Sequence, residues 1–140
     1  IDGEDYHFIV AHLISKRSDN NAKRHAQADA LRIASLTQFL SVEHTVIMGD
    51  LNDTPDSPPL LRARGFGDSQ PKPLQPGRVG GSNPSFSFIF DGEAQLIDHI
   101  LLSPSLQSAF DAVPVDDRHV SVDTGPVSDH FAVVVTIDTG

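Results

Sequence analysis

Thr45-Val46-Ile47-Met48-Gly49-Asp50-Leu51-Asn52-Asp53 is the stretch that decides the fold. A short apolar, β-branched run reads as a buried strand, Gly49 closes it, and the carboxylate and amide side chains that follow fall just past its C-terminal edge. Open α/β sheets place their chemistry at that edge. Upstream, Tyr6 to Leu13 (YHFIVAHL) reads as a second strand, with Tyr6, Phe8, Val10 and His12 on one face and His7, Ile9, Ala11 and Leu13 on the other. Between the two, after the polar segment Ser15 to Asn21, the residues Ala26, Ala30, Ile33, Leu36 and Leu40 recur at three- and four-residue spacing. That periodicity predicts an amphipathic helix over 22–40 lying on the outer face of the sheet.

Downstream, Pro55, Pro58 and Pro59 interrupt the chain and leave room for a short helix, Leu60 to Arg64, before Gly65. Residues 67–85 are rich in Pro and Gly and form a long loop, in which Arg78 and Asn83 could reach a phosphate or sugar or face solvent. Ser85 to Phe90 alternates as SFSFIF into Asp91-Gly92, a hairpin turn, and a strand from Gln95 to Leu102 is expected to pair back. Leu96, Asp98, Ile100 and Leu102 share a face of that strand, and an Asp among Leu and Ile is costly to desolvate. A polar stretch from Asp116 to Pro126 leads to Val127-Ser128-Asp129-His130 and a last strand, Phe131 to Ile137.

The 140 residues hold nineteen Asp+Glu against ten Lys+Arg, a formal charge of −9, and no Cys. A chain of this size buries roughly 68% of its unfolded surface, enough for one core. Without Cys there is no disulfide, thiolate catalysis or Cys-ligated metal, so Asp, Glu, His and Asn carry any site chemistry. The acidic balance argues against holding nucleic acid on a broad basic patch, yet leaves room for an enzyme that grips one phosphate through a metal. No apolar run is long enough to span a bilayer, and the composition fits a secreted bacterial protein and a cytosolic one alike.

Four polar clusters sit at strand ends: His12; Asp50 with Asn52; Asp98; and Asp129 with His130. Oxygen-rich groups of this kind suit Mg²⁺, or Mn²⁺ or Ca²⁺ in its place. Each has a plain structural reading beside the functional one. Asp50 with Asn52 can be a capped turn, Asp129 a strand-start cap, Asp98 part of an ion pair and His12 a packed core histidine. His7, His25, His44, His99 and His119 have no such context and read as surface or packing residues.

Val10-Ala11-His12-Leu13, Arg24 with Gln27-Ala28, Gly49-Asp50-Leu51-Asn52, Ile97-Asp98-His99-Ile100-Leu101 and Ser128-Asp129-His130 together resemble the DNase I-like endonuclease/exonuclease/phosphatase superfamily, and within it bacterial extracellular nucleases. The resemblance implies an α+β fold, the C-terminal half of a four-layer α/β/β/α sandwich with a mixed, largely antiparallel sheet. It implies that Asp50 orients and deprotonates the attacking water, that Asn52 holds the phosphate or nucleophile, and that Asp129, with Asp50 and Asn52, binds the metal. His130 would contact the scissile phosphate with Asp98 as its carboxylate partner, and His12 would be a second phosphate-contacting histidine. Sphingomyelinase-like lipid phosphodiesterases and phosphomonoesterases share these motifs, so the substrate class stays open, as does a non-catalytic binding module.

The same resemblance makes residues 1–140 a single incomplete domain: the family's N-terminal half, with the Glu that is its principal metal ligand, has no counterpart here. The expectation is a nearly inactive isolated chain. Its sheet face should show Phe, Ile and Leu that the other half, a second copy or another partner covers.

Overall fold

The computed structural model describes residues 3–17, 20–39, 44–65, 86–112, 119–122 and 125–138. Strand β1 (Tyr6–Val10) leads through helix α1 (Asn21–Phe39) to β2 (His44–Asp50) and a short helix α2 (Pro58–Arg64). A hairpin, β3 (Phe88–Phe90) and β4 (Glu93–Gln95), precedes β5 (Asp98–Leu102), helix α3 (Pro104–Ala112), β6 (His119–Val122) and β7 (Ala132–Val135). The central sheet has the order β1-β2-β5, with β1 parallel to β2 and β5 antiparallel to it. The β3-β4 and β6-β7 pairs are antiparallel. The fold is therefore mixed α+β with mostly antiparallel pairing, as the resemblance implied.

Strand alternation sorts the core into two clusters. Ile9, Ile47 and Leu101 are register neighbours on the face that packs with Leu13, Leu51, Leu60 of α2 and Leu31 of α1. On the opposite face Val46, Met48, Ile100 and Leu102 meet Leu106 and Phe110 of α3, with Val135 and Ile137 alongside. Phe8 and Val10, which pair with Val46 and Met48 on this second face, remain 54% and 76% exposed on edge strand β1. The expected apolar face is thus present in part, because α3 covers the β2 and β5 portion of it.

The strand expected from Gln95 to Leu102 is two strands. The hydroxyl of Ser87, itself fully buried, accepts from the amides of both Ile97 (3.0 Å) and Asp98 (2.9 Å) and so takes them off the hairpin ladder. β4 consequently stays with β3 while β5 crosses to β2. The turn itself is as expected: Asp91 and Gly92 both have positive φ (50° and 81°), the conformation a two-residue hairpin requires. Pro58 and Pro59 open α2 instead of ending what precedes it, since the first helical positions need no amide donor, and Ser57 caps them by accepting from Leu60 at 3.4 Å. The 67–85 loop, with Arg78 and Asn83, and residues 116–118, 123 and 124 of the later polar stretch lie outside the described residues.

Candidate active site

Beyond Val10 the chain continues along β2: the amides of Ala11 and Leu13 donate to the carbonyls of Met48 (2.9 Å) and Asp50 (3.0 Å). This contact is close enough that a Cβ at Gly49 (φ 134°) would overlap the Ala11 carbonyl oxygen, which explains a glycine at the strand's end. It also carries His12 to the mouth of β2. There Asp50 and Asp98 stand directly opposite each other in the β2-β5 register, on the face shared by Val10, Met48 and Ile100.

Asp50 is held by its neighbours. Its Oδ1 accepts from the amide of Asn52 at 2.8 Å, a turn that needs the left-handed backbone of Asn52 (φ 52°). The side-chain amide of Asn52 donates to the Leu13 carbonyl (2.8 Å) and to Asp50 Oδ2 (3.1 Å), which fixes the carboxylate. His12 Nε2 lies 3.4 Å from Asp50 Oδ2, with the ring largely in solvent. Burial raises the Asp50 pKa and Asp98 raises it further, against the lowering by the Asn52 amide, His12 and His130.

His130 arrives on the segment before β7. The Phe131 amide donates to the Ser87 carbonyl (2.7 Å) and His130 forms a bridge with Phe88, so Ser87 and its neighbour align His130 with β5. Its Nδ1 donates to Asp98 Oδ2 at 2.7 Å. Burial lowers the imidazole's pKa, but the Asp98 hydrogen bond and the charges of Asp98, Asp50 and Asp129 outweigh it, and the value is raised. A raised histidine pKa stabilises the fold fully below the unfolded value of about 6.5, and the contribution is lost as pH rises through the folded value. Proton NMR of His130 should give a midpoint above 6.5, and Asp98→Asn should lower it. An unchanged midpoint in Asp98→Asn would show that Asp98 is not its partner.

Asp50, Asp98 and His130 can each offer one ligand atom, all within 4.8 Å of one another. Asp129 is exposed and lines the same cleft of about 490 Å³ without joining that group. The site residues read from the sequence thus converge at one end of the sheet, with Asp129 and His12 at its rim.

Asp53 follows Asp50 and Asn52 in the same turn, with nothing local in the sequence to single it out. It is 1% exposed, paired with Lys16 (2.6 Å) and with the buried Arg24 of α1, while His99 Nε2 donates to its carbonyl (2.7 Å). Gln27 of the same helix accepts from the Ile14 amide at 3.0 Å. Together they tie α1 and the segment after β1 to the loop that presents Asp50 and Asn52. Nothing local in the sequence marks these contacts, because Arg24 and Asp53 are distant along the chain and meet only in the fold.

Two carboxylates thus face each other across the sheet, with an imidazole bonded to one of them, where the strands end. The chain belongs to the endonuclease/exonuclease/phosphatase family, whose model matches residues 3–130. Members are generally hydrolytic phosphoesterases, typically dependent on a divalent metal. No curated protein and no solved structure matches the chain. Among the described residues no helix is long and apolar enough to cross a membrane.

The donor set fits such a metal. Two half-buried carboxylates face each other, and Asp50 is held above its usual pKa by burial first and by Asp98 second, a penalty that a hard cation with oxygen ligands relieves.

Proposed function

We propose that the chain is the C-terminal catalytic half of a Mg²⁺-dependent phosphodiesterase, a nuclease akin to bacterial extracellular nucleases, that cleaves by attack of water on phosphorus. The observation that carries this reading is the in-register pair Asp50 and Asp98 with His130 bonded across to Asp98. Like charges directly opposite on a sheet cost stability, so a purely structural role is better served by neutral residues.

Asp50 orients the water and takes its proton; a carboxylate whose pKa is raised by burial is a stronger base than one in solvent. Asn52 holds Asp50 in place and, with Asp50 and Asp129, supplies oxygens to the metal. His130, oriented by Asp98 and protonated, donates to a non-bridging phosphate oxygen, where charge builds in the transition state. His12 contacts the phosphate from the rim. A bound divalent cation would neutralise phosphate charge and favour water attack. The family resemblance implies a further metal ligand beside these residues, a Glu of an N-terminal half that has no counterpart among residues 1–140.

The test is relaxation of supercoiled plasmid by the polypeptide carrying both halves. Cleavage in Mg²⁺ that EDTA stops is expected, with the 140-residue chain alone nearly inactive. No metal-dependent cleavage would sink the nuclease reading, and turnover of a phosphomonoester or of sphingomyelin instead would reassign the substrate.

A further inference from the structure

From His130 outward, a row of flat side chains runs along the cleft. The His130 and Phe88 ring centroids are 4.8 Å apart, those of Phe88 and Phe90 are 6.3 Å apart with planes within 17°, and the Arg17 guanidinium lies 5.2 Å from the Phe90 centroid. All four line the same cleft as Asp50. Phe88 and Phe90 occupy alternate positions of β3 and so share a face, and Phe90 is left 47% exposed although it is a large apolar ring. An aromatic in a three-residue strand, half open to solvent and capped by a cation, has no core to fill.

We propose that Phe90, with Phe88 and Arg17, is a stacking shelf for an unpaired nucleobase next to the scissile phosphate, which makes the substrate a nucleic acid with an accessible single-stranded base. The inference rests on the hydrolase reading for the position of that phosphate at His130. Every base has a π-face, and stacking on an aromatic residue is sequence-tolerant. Arg17 favours this occupant over an acyl chain: its guanidinium against the Phe90 ring suits a phosphate beside a stacked base and would be wasted on a lipid tail.

The test is fluorescence anisotropy of labelled hexathymidylate against a hexamer of abasic tetrahydrofuran phosphates, which keeps the charge and removes the bases. The wild-type chain should bind the thymidylate about tenfold more tightly. Phe90→Ala should bring the two affinities together without weakening the abasic oligomer, and Phe90→Trp should preserve the preference. Phe90→Leu, which keeps apolar volume, should lose most of it. Equal wild-type affinities, or a preference that survives both Phe90→Ala and Phe90→Leu, would overturn the shelf. So would weakened binding of Phe90→Ala to sphingomyelin vesicles with oligomer binding unchanged. A base preference in a protein that cleaves nothing with Mg²⁺ would support the shelf while removing the hydrolase reading.

Discussion

Asp53→Ala is expected to destabilise the chain by about 3–5 kcal/mol, the loss typical of removing one partner from a buried ion pair. Asp53 is 1% exposed and holds two cations at once, Arg24 from α1 and Lys16 from the segment after β1. Burial already lowers the pKa of both bases, and at Lys16 the Arg24 charge adds to it. Without the carboxylate, Arg24 would stay 7% exposed with no counter-charge and a second cation beside it. Replacing the pair, in Asp53→Ala with Arg24→Met, should recover much of the loss, because the uncompensated charge goes with it. Urea unfolding followed by circular dichroism checks both, and a loss below about 1 kcal/mol for Asp53→Ala would place the pair among surface bridges.

The contrast between Asp53 and Asp50 shows what was legible in the sequence. Elements whose pattern is local were readable: the alternation of β1, the three- and four-residue spacing of α1, the apolar run of β2 and the Asp91-Gly92 turn all fall within a few residues of expectation. So were the strand-end positions of Asp50, Asp98 and His130, because period-two alternation puts Asp50 with Met48 and Asp98 with Ile100 on one face. What was not legible depends on contacts distant in sequence. The break between β4 and β5 is imposed by the Ser87 hydroxyl, ten residues before Ile97. Helix α3 is outside the sequence expectations, although Leu106 and Phe110 recur at helical spacing and cover the β2-β5 face. Asp53 follows Asp50 and Asn52 in one acidic turn, and only the fold separates them: Asp53 turns inward to Arg24, while Asp50 faces Asp98 across the sheet.

That separation sets opposite signs for the two residues. Asp50→Asn is expected to lower kcat/KM of the proposed metal-dependent cleavage by about 10²–10⁴, the range that a positioned acid or base contributes. It should also abolish Mn²⁺ binding detected by electron paramagnetic resonance, yet leave the 140-residue chain as stable as the wild type or more so. The reason is the raised pKa of Asp50, caused first by burial and then by Asp98. A carboxylate with a raised folded value favours the fold when protonated, and that contribution is lost as pH rises through the folded value. Above its folded value the wild type carries the penalty of a desolvated charge facing Asp98, and the neutral side chain removes it while keeping an acceptor for the backbone amide of Asn52. The melting-temperature advantage of Asp50→Asn should shrink as pH falls through the Asp50 titration. A variant that loses stability and activity together at pH 7 would mean that Asp50 is a turn residue after all. One that gains stability while losing metal and turnover would show a charge kept for chemistry against the interest of the fold.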